Sequence, residues 1–145
     1  MSSQAFPYLA HSNPKANDIR KNWYKLPLLP TTIRHEGKAV SYLALVDSGA
    51  DFNVFHSDIA RILEIDLTRL KNKVEFGGVK EDNKPCIGYL AMVDLEIGNE
   101  TFASAIVFSD DISDDGYGIL GQSGFFTNFE VRFDRTKYMF YLAKK

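Results

Sequence analysis

The chain has 145 residues, 45% hydrophobic and 25% charged, with a formal net charge of −2. That length suits one domain with a buried core, and the near-neutral balance gives no electrostatic reason for a nucleic-acid partner. Cys86 is the single cysteine, which excludes an intrachain disulfide and fits a reducing compartment; no apolar run approaches the ~20 residues of a membrane span and no leader pattern opens the chain, so a cytoplasmic protein with no membrane role is expected.

Residues 1–25 read as an N-terminal arm or extension, and 26–145 as the domain proper. His11 to Asp18 is polar and turn-prone. Ile19 to Tyr24 suits a short helix or a covering arm, with Trp23 and Tyr24 packing it down. The prolines of Leu26-Pro27-Leu28-Leu29-Pro30 suit an edge strand or a strand entrance. His35-Glu36-Gly37-Lys38 is a hairpin turn leading into a strand over Ala39 to Val46. Neither His35 nor His56 receives a catalytic role, because nothing nearby supplies a nucleophile that it would activate.

That strand ends abruptly at an acid, in Leu45-Val46-Asp47-Ser48-Gly49-Ala50-Asp51. A carboxylate at the end of a buried strand is costly unless it is hydrogen-bonded or chemically used. Gly49 permits a sharp turn behind it. Phe52 to Phe55 follows as a short apolar strand. Ser57 can then cap a helix over Asp58 to Leu63, with Ile59, Ile62 and Leu63 on one face. The basic residues Arg69, Lys71 and Lys73 read as a solvated face.

Val74 to Val79 and Pro85 to Tyr89 flank a polar stretch, Lys80 to Lys84, and read as a hairpin with paired glycines at Gly77 and Gly78. Cys86 has no cationic neighbour in sequence and reads as unreactive packing. Leu90 to Ile97 and Thr101 to Phe108 form a second hairpin across Gly98-Asn99-Glu100. Asp110 to Gly116 is the most acidic stretch. It imitates the first half of a calcium loop but lacks the closing Glu, so a solvated loop is the reading and no metal site is assigned. Phe129 to Phe133 alternates as a half-buried strand, and Tyr138 to Leu142 returns antiparallel.

Two stretches together carry a resemblance. Asp47-Ser48-Gly49 is similar to the Asp-Ser/Thr-Gly signature of aspartic proteases. Tyr117-Gly118-Ile119-Leu120-Gly121, about seventy residues later, resembles the hydrophobic-hydrophobic-Gly strand that threads beside the catalytic loop. Order and spacing resemble the single-lobe, retropepsin-like branch over about residues 26 to 142. The fold implied is a closed, mostly antiparallel β-barrel with one or two short helices. A short helix over Gln122 to Asn128 is implied after the glycine strand, and 74–89 corresponds to the flap that closes over substrate.

The function implied is that of an aspartic endopeptidase acting on peptides or proteins without a cofactor. Asp47 would be the catalytic acid/base, with Ser48 and Gly49 supporting it. Ala50, Asp51, Gly77, Gly78, Val79 and Ile119 would contact substrate. The chemistry needs two carboxylates, and the chain holds one Asp-Ser-Gly. A homodimer must then supply the second Asp47 across a two-fold axis. In retropepsins an Arg after the Leu-Gly strand pairs with the acid corresponding to Asp51; here Gln122 occupies that place. Two alternatives stay open: a retropepsin-fold module that binds peptides or dimerises without cleaving, and a plain β-barrel binding module.

Overall fold

The structure is a computed structural model and describes residues 3–12, 23–79, 84–113 and 116–145. Residues expected at the hairpin tip (80–83) and in part of the arm (13–22) lie outside it.

Strands dominate because β-branched and aromatic residues alternate with polar ones along most of the chain. Three sheets result among the described residues. β1 (Gln4–Pro7), β12 (Met139–Lys144) and β11 (Phe129–Asp134) make the first, and β2 (Leu9–Ser12) pairs with β3 (Trp23–Leu26) to make the second. The third has seven strands in the order β4 (Leu28–His35), β5 (Lys38–Val46), β10 (Gly118–Leu120), β6 (Val54–His56), β9 (Glu100–Ser109), β8 (Pro85–Ile97), β7 (Lys73–Val79).

The sheets are mixed, not purely antiparallel. β10 runs parallel to β5, and β6 runs parallel to β9. β4 also pairs with β8, at Thr32 to Arg34, so the first strand of the large sheet meets the sixth. Pro30 lies upstream of that pairing and is exposed, so its missing N–H breaks no bond to β8. Trp23 and Tyr24 are strand residues and not helical.

The β8–β9 hairpin shows why the core forms. Ala91, Val93, Leu95 and Ile97 are all buried, at the period-2 spacing of one strand face. From Ile106 to Ser109 both faces of β9 are buried, in the stretch where β6 pairs along its edge and α1 packs on it. Phe55, Phe108, Phe125, Phe129 and Phe140 are fully buried in one hydrophobic core.

Helix is scarce. α1 runs Ser57–Ile62 and is capped by the His56 imidazole, which accepts from the Asp58 N–H at 3.0 Å. The cap expected from Ser57 fails because Ser57 is already inside the helix, where its hydroxyl donates to the Asp110 carboxylate. That bond and Arg61 hold the Asp110 carboxyl below its usual range. Ile62 is 57% exposed, so the inward face carries Ile59, Ala60 and Leu63 instead. The helix expected over Gln122 to Asn128 is replaced by turns. Phe126 N–H and Thr127 N–H reach back five residues, to the carbonyls of Gly121 and Gln122. Among the described residues no helix is long and apolar enough to cross a membrane.

Candidate active site

β5 delivers Asp47. Val46 is buried, its N–H bonded to the Pro27 carbonyl at 3.0 Å, so the strand is fixed up to its last residue. The Asp47 N–H then donates to the Leu120 carbonyl on β10 at 3.0 Å. The side chain turns back, and its Oδ1 accepts from the Gly49 N–H at 2.9 Å. Gly49 does not need a left-handed backbone here. A Cβ on it would lie 3.2 Å from Asp47 Oδ1, so the glycine keeps space open beside the carboxylate.

β10 is wedged between β5 and β6, with Ile119 opposite both Leu45 and Val54. Its glycines answer to close approach. A Cβ on Gly121 would meet the Phe52 carbonyl oxygen at 2.4 Å and that of Ala50 at 2.7 Å. The two loops are laced together just beyond. Gln122 N–H donates to Ala50 O at 2.8 Å, and Ser123 N–H to Asp51 O at 2.9 Å. The Gln122 side-chain amide donates to Ser48 O at 2.7 Å. Gln122 therefore ties down the loop as a neutral residue, through a carbonyl and not through the Asp51 carboxylate.

Beneath this lies a buried polar tie that the sequence did not reveal. Asn53 is fully buried; its Oδ1 accepts from the Gly121 N–H at 2.9 Å, and its Nδ2 reaches Ser104 Oγ at 3.1 Å. One side chain thus joins the Asp47 loop, β10 and β9. Only its position two residues after Asp51 and its polar type amid Phe52, Val54 and Phe55 could have signalled this.

A cleft of about 530 Å³ opens over the loop. Six of the nine expected site residues line it: Asp47, Gly49, Ala50, Asp51, Gly77 and Ile119. Ser48 is exposed and is not part of its wall. Gly78 and Val79 lie in β7, next to an irregularity in the β7–β8 pairing between Phe76 and Val79. Phe76 and Cys86 bring both strands of that hairpin to the cleft.

Asp111 and Ile112 also line the cleft, although the acidic loop reads from sequence as solvated. The reason is a long-range contact. The Asp111 carboxylate accepts from the Ile87 N–H on β8 at 2.8 Å, drawing the loop against the hairpin.

A second cavity of about 440 Å³ adjoins, sharing Ile112 and Ile119 with the first. Its far side is formed by His11 of β2, whose ring stands edge-on to Tyr117 at 5.1 Å between centroids. Burial pushes the Tyr117 hydroxyl pKa up, and Tyr24 and the Asp47 carboxylate act in the same direction. The N-terminal strands therefore reach the neighbourhood of the candidate site. Among the described residues no group of three or more His, Cys, Asp or Glu side chains is placed to hold a metal ion.

No protein-family model and no curated protein matches the sequence. Among solved structures the chain is similar to the crystal structure of a retropepsin-like aspartic protease from Rickettsia conorii. The two share 19% identity with a TM-score of 0.60, over 97% of this chain and 92% of that one. The chain has a retropepsin-like, mostly β fold.

Proposed function

We propose that the chain is an aspartic endopeptidase that works as a homodimer. The observation that carries this reading is the position of Asp47: a strand-terminal carboxylate facing a cleft, held by the Gly49 N–H, with the β7–β8 hairpin forming another wall. Likeness in fold to a protein described as an aspartic protease adds support. The pairing of β4 with β8 favours reading the large sheet as a closed barrel, a rigid frame for such a site.

In this reading a water molecule sits between two Asp47 carboxylates, one per subunit. The pair shares one proton, because like charges that close cannot both ionise easily. The ionised member takes a proton from the water as it attacks the scissile carbonyl. The protonated member hydrogen-bonds to that carbonyl oxygen and stabilises the charge that develops there. The glycine space beside Oδ1 leaves room for the water. Gly77 and Gly78 belong to the element that closes over the peptide and excludes bulk solvent.

The dimer requirement gives a test in dilution. Specific activity on a quenched-fluorescence peptide should fall as the protein is diluted through its dimer dissociation constant, and below it should become proportional to protein concentration. Specific activity that stays constant while light scattering reports a monomer would contradict the reading.

A further inference from the structure

Resting on the protease reading, we propose that Asp51 selects peptides carrying a lysine or arginine side chain near the scissile bond. Gln122, whose backbone N–H is bonded to Ala50 O beside Asp51, is neutral, and its side-chain amide is engaged by Ser48 O at 2.7 Å, so it brings no positive charge to the Asp51 carboxylate. The main chain of Asp51 is tied down by the Ser123 N–H, so the residue is held in place while its side chain is exposed and lines the cleft. Among the described residues its carboxylate makes no ion pair or hydrogen bond.

The surroundings point the same way. Among the described residues lining the cleft there is no Lys, Arg or His, while Asp47, Asp51 and Asp111 contribute three carboxylates. A concave site with charges of one sign focuses its potential and draws in the opposite charge. The same cleft is also lined by Phe52, Val54 and Phe76, apolar surface that suits the methylene stem of a basic side chain whose head reaches the carboxylate. A two-fold axis would repeat Asp51 on both sides of the scissile bond, so the preference should extend to either side.

The test uses a synthetic peptide library with Lys, norleucine or Glu in equal amounts at each of four positions on either side of the cut. Cut sites are read by mass spectrometry, and binding of the same pools to immobilised Asp47→Asn protein is read separately. Wild type should favour Lys over norleucine by about fivefold at one or more positions, the size of an exposed to half-buried ion pair. The preference should shrink as salt is added. In Asp51→Asn the Lys-to-norleucine ratio should fall towards one whatever the absolute rates, and in Asp51→Lys the Glu pool should overtake. Equal use of Lys and norleucine by wild type, or a Lys preference that survives in Asp51→Asn, overturns the proposal. If no pool is cleaved, the protease reading fails by itself, and the binding arm still decides the charge preference.

Discussion

The Asp47→Asn variant should lose peptide cleavage by a factor of about 10⁴ or more while remaining folded. The size follows from counting. In a homodimer one substitution removes both carboxylates, so neither the base for the water nor the acid for the carbonyl survives. Folding should persist because the change is nearly isosteric and the Asn Oδ1 can still accept from the Gly49 N–H. The Asp47 N–H to Leu120 O bond is backbone and is untouched. Dimerisation should hold or tighten, since two like charges on the axis are removed. Matched circular dichroism spectra with residual cleavage at or below about a ten-thousandth of wild type is the expected result. Wild-type turnover by the purified variant would reduce Asp47 to a turn residue.

The second large effect is expected at Gly121→Val. The added Cβ would press on the carbonyl oxygens of Phe52 and Ala50 at distances that backbone cannot yield cheaply. Overpacking of this kind costs about 1–3 kcal/mol. For a domain of this size the upper end lowers Tm by roughly 10 °C. Activity should fall further than stability. The same clash separates the Ala50–Asp51 segment from Gln122 and Ser123, whose bonds hold the Asp47 loop. Gly77→Ala is the control for stability, since a Cβ there meets nothing within 4 Å. Thermal melts that leave Gly121→Val at the wild-type Tm would show that the loops can separate without cost.

The parts of the site legible in sequence were those written in short stretches. An apolar run ending at Asp47, a glycine two residues on, and a glycine strand downstream each carry a local physical reason. What stayed hidden depends on residues far apart in the chain. Asn53 bonds to Gly121, 68 positions away, and its polar type in an apolar stretch says nothing of that distant partner. Asp111 sits in a stretch whose composition says solvent, yet one bond to the Ile87 N–H brings it to the cleft. β1 forms against β12 across nearly the whole length of the sequence, with only a weak alternation to announce it.

Local competition explains the rest. His56 supplied the cap because its imidazole reaches the Asp58 N–H, whereas propensity alone favours the serine beside it. Ile62 faces solvent because α1 ends there, one turn too short to carry a complete apolar stripe. Gln122 to Asn128 closes in turns because Gly124 adopts φ +105 and its N–H is bonded to the Thr127 hydroxyl at 3.1 Å.

In the proposed enzyme each active site draws one Asp47 from each of two chains. Mixing wild-type and Asp47→Asn protein at constant total concentration, with time for subunit exchange, tests it most directly. If the two associate equally, the wild-type dimer is the square of the wild-type fraction, so an equal mixture should retain about one quarter of the activity. A retained activity of one half, falling linearly with the wild-type fraction, would mean that each chain carries a complete site by itself.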